Sequence, residues 1–579
     1  MNPLSAHRAR RLARPHLLAL AAVLALPATV GAQATNTWSC AGGGWNGDPV
    51  CWSLNATPNN TQNVVVNGSG LEDTNLMLLH AIGNTGTTIA ARSLTLGTDR
   101  TGPTPSATAQ LYMSGLTLAV GSATGSFAGF VSVGQGNNAN ATLNLTNGST
   151  LNFPTFGESG GVSVGGLAAT QTGFGALSVQ GGGRIAGGVV NIYNGRLDVH
   201  GSSTPGYLAI ESSVHLRDYA GAVGGGVANI AASVGAVTVE RGRATLGTTN
   251  AGFQSPAFLL VTVQGPVVSG IENTAVDFVG RSVVTFRLTL RGGVTSIKGG
   301  ASVDNNSGRT ELLNDAQLIV ESGGSLNTGN TLNNRDRSSI QLKGGTINHR
   351  GIDNAGTVSG TGVIDSVLET QTFKQQATGN LQASGGDLIL YGRFDGSVGG
   401  TIGTQNGRLY FWGDAVFKPG QVITQSGTGG LIIFGFGKVE IGNATQRGSL
   451  TAMTNDLALQ NTSNLFLDFG GVADHDYLST GGRLLVESGK LTLSTAGSFQ
   501  AGLGSFFSIF RATSGITGTF SSIDTTAFAL APGARLDMSN LYTTGTLAVV
   551  AVPEPATWLS LGAGLLLIGA RARRWRQEA

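Results

Sequence analysis

Few residues of this sequence have the type and spacing of a chemical centre, and the strongest group is Asp474-His475-Asp476. Neighbouring carboxylate and imidazole groups can transfer protons or bind a metal ion. The histidines between residue 35 and this group lie far apart in the sequence, and no HExxH motif occurs. Because no further ligand or base stands at a useful spacing, we predict a polar turn at 474–476, with no metal and no cofactor.

A second set of ionisable residues could line the groove of a polysaccharide-degrading enzyme. Such enzymes use paired carboxylates, or carboxylates with a basic residue, on one face. The candidates are scattered without a characteristic spacing, and solvent-facing turns explain them better. We therefore predict that the protein is not an enzyme, and a β-helical polysaccharide lyase or hydrolase is the alternative. The candidates are Asp353, Asp365, Asp387, Asp395, Asp414, Arg393 and Arg408.

The N-terminus has the three parts of a secretory signal peptide. Arg8 to Arg14 form a positive region, Leu17 to Leu26 provide ten apolar residues, and Ala32-Gln33-Ala34 is a small-x-small cleavage site. Ten apolar residues are too few to cross a bilayer core of ~30 Å. We predict export through the secretion machinery and removal of residues 1–34 by cleavage after Ala34.

Cys40 and Cys51 are the two cysteines of the chain, and they flank a Gly-rich loop among Trp38, Trp45 and Trp52. A metal site would need further Cys or His residues nearby, and none is present. Exported proteins retain disulfides. We therefore predict a Cys40–Cys51 disulfide that closes a small loop.

The formal net charge of +2 hides an uneven distribution. Four arginines precede the apolar stretch of the signal and four more lie in the last nine residues. Without both ends, the body holds 26 basic and 30 acidic residues. Nucleic-acid binding requires a basic surface, because phosphate contacts dominate that affinity. The mildly acidic body excludes nucleic acid as a partner.

The C-terminal segment 553–579 has three parts in a fixed order. Pro553-Glu554-Pro555 comes first, the 15 residues from Ala556 to Ala570 are apolar or small, and an arginine cluster follows. At ~1.5 Å per residue the apolar stretch makes a helix of about 22 Å. We predict a single, short transmembrane helix that tethers the exported body to the inner membrane transiently. The cluster, which favours the cytoplasmic side, is Arg571, Arg573, Arg574 and Arg576.

This segment resembles the PEP-CTERM sorting signal of Gram-negative bacteria. The resemblance implies that an exosortase, an integral-membrane enzyme, recognises and cuts near Pro553-Glu554-Pro555. It also implies that the released protein reaches the cell surface or the extracellular matrix. The two prolines keep the motif extended and unable to continue the helix, which suits a membrane protease.

The body between the two ends repeats short runs of alternating apolar and polar residues that end in Gly or Asn-Gly. The units Val131–Gly134 and Val162–Gly165 begin 31 residues apart, and Leu143 and Leu177 begin related units 34 residues apart. Alternation with period 2 predicts strands with one buried face, and Gly allows tight corners. Such repeats must stack to bury that face. We predict an all-β fold, a right-handed parallel β-helix over 35–463, with an antiparallel sandwich array as the alternative.

These repeats, together with the run 356–364, resemble the passenger-type repeat stretches of autotransporter-like surface proteins. From residue 464 the residue pattern of the sequence changes, and we predict a terminal β module over 464–552. Its aromatic residues are expected to cover the open end of the β-helix, because exposed solenoid edges aggregate. These residues are Phe506, Phe507, Phe510 and Phe520.

Together these features predict an exported, non-enzymatic surface or matrix protein with a structural or adhesin-like role. The expected partners are the secretion machinery, an exosortase and an extracellular polysaccharide, in the setting of a biofilm. Ser, Thr and Asn side chains displayed along a weakly charged rod can form the many modest hydrogen bonds that suit glycan contact.

Overall fold

The computed structural model describes residues 33–575, with gaps at 41, 47–48, 67–76, 98–107, 122–128, 136–138, 155–159, 167–172, 202–207, 217–225, 241, 250–254, 265–273, 306, 443–444 and 553–554. The predicted signal peptide, apart from residues 33 and 34, lies outside the described residues, and so does Ala32. The described chain is built almost entirely of short strands, with a single α-helix, Pro555–Trp575 (α1), at its C-terminal end. This composition matches the all-β prediction.

The strands are numbered in chain order. The N-terminal third contains β1 to β18: Thr35–Trp38, Gly42–Gly44, Asn63–Val66, Met77–Ala91, Ser93–Leu96, Thr108–Val120, Phe130–Val133, Asn140–Thr146, Thr150–Asn152, Gly161–Val164, Phe174–Val179, Arg184–Ala186, Val189–Ile192, Gly195–Val199, Leu208–Leu216, Gly226–Ile230, Ser233–Val239 and Gly242–Leu246. The middle third contains β19 to β36: Ala257–Val263, Thr274–Phe278, Arg281–Leu290, Val294–Ile297, Ser302–Asn305, Arg309–Leu312, Gln317–Glu321, Ser325–Thr328, Leu332–Asn334, Ser339–His349, Ile352–Asn354, Thr357–Ser366, Thr372–Gln375, Asn380–Tyr391, Arg393–Gly396, Thr401–Gln405, Arg408–Trp412 and Ala415–Phe417. The last third contains β37 to β51: Gln421–Ser426, Leu431–Phe436, Lys438–Ile441, Ser449–Ala452, Asp456–Gln460, Asn464–Phe469, Tyr477–Thr480, Leu484–Glu487, Lys490–Thr495, Phe506–Ser508, Phe510–Ala512, Ile516–Thr519, Ser522–Ala527, Ala534–Asp537 and Thr546–Ala551.

Forty-eight of these strands join one continuous sheet in which each strand pairs in parallel with the strand one coil further along the chain. Val131 pairs with Val162, and Leu143 pairs with Leu177, so the repeated sequence units lie directly above one another. Parallel pairing of this kind forms a solenoid. It confirms the predicted β-helix, and it excludes the antiparallel array for these strands.

One line of in-register partners runs the whole length of the coil, from β1 to β49. Its members point inward, and all are buried except the last, which is half-buried. From Leu288 to Ala415 the steps are only 20 to 22 residues long, whereas the step from Leu94 to Val131 is 37. The line consists of Asn36, Val64, Leu94, Val131, Val162, Val190, Val214, Val237, Val261, Leu288, Thr310, Leu332, Ile352, Phe373, Phe394, Ala415, Val439, Leu465, Leu491 and Ile523.

In the C-terminal half each coil has three faces, and the long strands β28, β30 and β32 each cover two of them. The coil formed by β34, β35 and β36 has one strand on each face: β34 and β35 pair with β32 and β36 with β33 one coil before, and the three pair with β37, β38 and β39 one coil after. Phe394, Phe411, Phe417 and Phe434 fill the interior here, with ring centroids 4.9 to 5.8 Å apart. Each buried phenyl ring stabilises the fold by about 1.5–3 kcal/mol through removal of apolar surface from water.

A short line of amide side chains also lies inside the coil. The Asn334 Nδ2 group donates to Asn354 Oδ1 at 2.7 Å, and Asn354 Nδ2 donates to Gln375 Oε1 at 2.8 Å. All three residues are fully buried, and they occupy equivalent positions on three successive coils. Each of these two amide nitrogens thus donates to the amide oxygen of the next coil, whereas Asn334 Oδ1, at the start of the line, is buried with no hydrogen-bond partner among the described residues.

The parallel coil continues past residue 464, where the sequence predicts a new module. Strands β42, β45 and β49 continue the inward line and the parallel pairing through Ala527. An antiparallel sheet appears only at the end, where β51 pairs with β46 and β50. Phe507, Phe510 and Phe520 are buried at this end, whereas Phe506 is exposed. The three buried rings contribute to the core of the last coils.

Candidate functional sites

The N-terminal coil is held by a disulfide and a cluster of indole rings. Cys40 and Cys51 are bonded, with their Cα atoms 5.2 Å apart. Trp38 and Trp45 pack edge to face against Trp52 at centroid distances of 4.9 and 5.2 Å, and all three rings are buried. Trp52 Nε1 donates to the Trp45 carbonyl at 3.2 Å. The arrangement covers the first coil with apolar surface, so its role is structural.

Asp474, His475 and Asp476 lie in a turn that returns the chain to β42. The His475 ring stacks on the Phe469 ring with their centroids 5.6 Å apart, and the backbones of the two residues form an isolated antiparallel β-bridge. Burial lowers the pKa of His475. Arg447 binds Asp474 at 2.7 Å and holds the pKa of that carboxyl below its usual value.

Asp476 is the buried member of this group. Its Oδ1 accepts from the Gly448 N–H and its Oδ2 from the Asp468 N–H, both at 2.9 Å. Burial raises its pKa to about 7, and the nearby Asp468 charge acts in the same direction. Because both oxygens bind backbone groups, Asp476 joins two coils rather than facing a substrate.

The scattered carboxylates proposed for the alternative enzyme form separate contacts. Asp387 makes a two-point ion pair with Arg408, at 2.7 and 2.5 Å. Asp395 accepts from the Ser397 N–H, and Asp414 accepts from the Lys438 N–H at 2.8 Å. Asp353 lies 3.8 Å from Arg335. Within the described ranges, no three His, Cys, Asp or Glu side chains are placed so that they could hold a metal ion.

The run Gly161–Gly165 fits the G-x-S-x-G pattern of serine hydrolases, and so does the overlapping run 157–161, whose serine lies outside the described residues. In those enzymes the serine stands on a sharp turn between a strand and a helix. Ser163 instead lies inside β10, between Ser132 and Asn191 on the adjacent coils. The run is therefore an ordinary repeat unit of the solenoid.

A row of polar side chains follows the positions next to the inward line; ten of them are at least partly exposed, whereas Thr289, Glu311 and Asn333 are buried. It continues without interruption over thirteen successive coils. We call it the polar row: Thr95, Ser132, Ser163, Asn191, His215, Thr238, Thr262, Thr289, Glu311, Asn333, Asp353, Lys374 and Asp395.

A row of aromatic side chains, which the sequence repeats did not reveal, lies on another face. Tyr391, Trp412 and Phe436 are in-register partners on three successive coils. Their ring centroids are 6.0 and 4.7 Å apart. We call these three residues the aromatic row. A signal was present in the sequence, because each is followed by Gly and they recur after 21 and 24 residues, the local coil lengths.

Helix α1 contains most of the predicted sorting segment. Its large apolar side chains, among them Leu559, Leu566 and Ile568, are more than half exposed. Arg571, Arg573 and Arg574 are exposed near its end. Pro555 is its first residue, whereas Pro553, Glu554 and Arg576 lie outside the described residues.

The prediction of a transmembrane helix in this segment is not confirmed. Among the residues that the structure describes, no helix is both long enough and apolar enough to cross a membrane. The reason is that only 15 of the 21 residues of α1 come from the apolar stretch, and glycines and arginines dilute it further.

The fold and the tail define a β-solenoid with a C-terminal sorting segment. Residues 551–574 match the family model of the PEP-CTERM protein-sorting motif. This match confirms the predicted motif and indicates that the chain is an exported protein sorted by an exosortase. It covers the tail alone. No curated protein matches the chain.

Proposed function

We propose that this protein is a non-enzymatic component of the cell surface or extracellular matrix of a Gram-negative bacterium, and that it associates with extracellular polysaccharide in a biofilm. Its proposed role is structural. The coil is a stiff rod, and its side chains form contacts along a polymer instead of converting it. The exosortase releases the rod from the membrane close to Pro553-Glu554-Pro555.

The polar row is the observation that carries this proposal. From Thr95 to Thr262 its seven partly exposed members set hydroxyl, amide and imidazole groups at the spacing of adjacent strands, about 4.8 Å, along one side of the solenoid. Its last three members, Asp353, Lys374 and Asp395, are charged. The hydroxyl, amide and imidazole groups donate and accept hydrogen bonds, and a polymer with many hydroxyl groups is complementary to them. Each bond contributes only about 0.5–1.5 kcal/mol, so affinity depends on many contacts along the rod. A polysaccharide supplies that repetition.

Two experiments test the proposal. The secreted, folded chain is incubated with exopolysaccharide from the producing bacterium, and co-sedimentation with the polymer is measured. We expect retention, and an unbound folded protein would contradict the polysaccharide association.

Mass spectrometry of the protein released from cells identifies its C-terminus. We expect an end within or before α1, and a chain that retains Ala579 would contradict the processing step.

The non-enzymatic part of the proposal has its own test. Pectin, alginate and related glycans are incubated with the secreted chain, and new reducing ends and unsaturated uronates are measured. We expect neither product. The appearance of either would favour the polysaccharide lyase or hydrolase instead.

A further inference from the structure

The aromatic row places three neighbouring rings at the surface of a protein that has few exposed aromatic side chains in its described part. Tyr391 and Phe436 are each 40% exposed, and Trp412 lies half-buried between them. All three lie on the outward side, because the residues that precede Tyr391 and Trp412, Leu390 and Phe411, are buried in the core. Contiguous exposed apolar surface of this kind marks binding sites.

The rings of the aromatic row are held in position before any ligand arrives. The Trp412 indole lies against the backbone of Gly435, where an added Cβ would come within 3.0 Å of the ring. Phe411 and Phe434, both buried, support the same strands from inside and stack at 5.4 Å. A surface fixed in this way loses little side-chain entropy when it binds.

The direction of the row restricts the shape of the ligand. The three residues follow one another from coil to coil, so the row runs along the solenoid axis and not across it. It is one ring wide, because the next outward position on β35, Tyr410, is occupied by a cation contact with the Arg408 guanidinium at 5.5 Å. The row therefore fits an extended chain with a repeating flat apolar face.

The charges around the row indicate a neutral ligand. The Arg408 guanidinium is held by Asp387, and Lys438 is paired with Glu440. At the two ends of the row stand hydrogen-bond acceptors. Asp365 follows Ile364, the partner of Leu390, and lies one coil before Tyr391. On the coil after Phe436, Gln460 follows Leu459, the partner of Phe434, and donates to Glu487 at 2.9 Å. On β35 and β39 an anionic polymer would therefore meet cations that already have carboxylate partners.

From these observations we propose that the aromatic row binds a neutral polysaccharide, lying along the coil axis with the C–H faces of its pyranose rings on Tyr391, Trp412 and Phe436. Hydroxyl groups at the edges of the sugars donate to Asp365 and to the carbonyl oxygen of the Gln460 amide. The inference rests on the proposed function and deepens it, because it names the class of polymer and the residues that hold it.

The test uses the secreted chain and its own fluorescence. The three N-terminal tryptophans are buried. The remaining ones are Trp412 and, in the C-terminal segment, Trp558 and Trp575, so the chain is ended at Val552 for this measurement and Trp412 is then the indole that a ligand reaches first. Dextran, mannan and a soluble β-glucan serve as neutral probes, and alginate and polygalacturonate as anionic ones. We expect a saturable change with at least one neutral probe and none with the anionic probes. The Trp412→Phe variant identifies the source of the signal.

Binding is then compared among variants by affinity electrophoresis, with circular dichroism and thermal melting as checks of folding. We expect Trp412→Ala and Phe436→Ser each to weaken binding about tenfold or more, since each removes a ring from the contact. Trp412→Phe keeps an aromatic ring and should retain most of the affinity. Phe286→Ala is the matched control, because Phe286 is 62% exposed and lies outside the row.

The outcomes separate this inference from the proposed function. If a neutral probe binds equally to the wild type, Trp412→Ala and Phe436→Ser, the row is not the site, while polysaccharide association stands. If only anionic probes bind, the neutral class is wrong. If the chain binds none of these probes and none of its own exopolysaccharide, both proposals fail. A dimer that Trp412→Ala abolishes in sedimentation would assign the row to a second copy of the chain.

Discussion

The buried amide line offers a test of how the coils hold together. Asn354 accepts from Asn334, and it donates to Gln375 Oε1 at 2.8 Å and to the Asn380 carbonyl at 3.3 Å. All of these groups lie away from water, so the loss of Asn354 affects three coils at once. We expect Asn354→Ala to loosen this region without changing the fold.

The magnitude follows from the partners that Asn354→Ala leaves behind. Asn334 keeps its second hydrogen bond, from Nδ2 to the Thr357 carbonyl at 3.0 Å, but it loses its partner in Asn354. Gln375 Oε1 loses the donor that it has in the line. A buried polar group without a partner costs about 1–3 kcal/mol, so the two losses together cost about 4 kcal/mol. This corresponds to about a thousandfold rise in local opening.

Hydrogen–deuterium exchange measured by mass spectrometry detects local opening in a solenoid, where each coil depends mainly on its neighbours. Peptides that contain Ile352–Asn354 and Thr372–Gln375 should exchange at least a hundredfold faster in Asn354→Ala, whereas peptides from the N-terminal coils should be unaffected. Lys374→Ala, an outward change in the same strand as Gln375, is the control. A change smaller than about fivefold would show that the amide line contributes little.

Three further predictions concern other parts of the coil. The pKa of Asp476 is about 7 in the folded protein against 3.8 in the unfolded chain. Its contribution to the free energy of unfolding is therefore complete below pH 4 and is lost as the pH rises to 7. Asp476→Asn should flatten the decline in the urea midpoint between pH 5 and pH 8, and an unchanged decline would contradict this cause. Cys40→Ser should destabilise the N-terminal coil by about 2–3 kcal/mol, because the disulfide closes a loop with a sequence separation of 11. Hydrogen–deuterium exchange in peptides that cover Trp38 and Trp52 measures this loss, and peptides from the C-terminal half, whose exchange should not change, are the reference. Gly437→Ala should cost about 2 kcal/mol or more in thermal unfolding, since Gly437 has φ +81° and an added Cβ would lie 2.5 Å from the Gly413 carbonyl carbon; Gly497→Ala, also at positive φ but with open space around it, separates the contact from the backbone strain.

Much of this fold could be predicted from the sequence because the solenoid is determined locally. The units that start at Val131 and Val162 alternate apolar and polar residues, and their spacing equals one coil, so pattern and pairing agree. The sorting motif could be predicted for a similar reason, since its three parts adjoin one another in the chain. The C-terminal limit of the β-helix was harder to predict than its repeats. The composition of the outward residues changes at residue 464, but the inward positions Leu465 and Leu491 continue the same line.

The sites depend on distant residues, and the sequence revealed them less well. Nothing in the run 474–476 shows that the N–H groups of Gly448 and Asp468 would surround the Asp476 carboxylate. The aromatic row was missed for a different reason. Tyr391, Trp412 and Phe436 stand 21 and 24 residues apart, and their relation becomes visible only when the local coil length is known. That length is 31 in the units that first reveal the repeat.

The variation in coil length also determines where a long ligand can lie. Near the N-terminus the steps of the inward line reach 37 residues. Between Leu288 and Ala415 the steps are 20 to 22 residues, which leaves little chain beyond the strands and their corners. The aromatic row begins inside this regular part, and the polar row ends in it. An extended polymer requires an unobstructed surface over several coils, so we expect the ligand that contacts the aromatic row to follow this regular part of the coil.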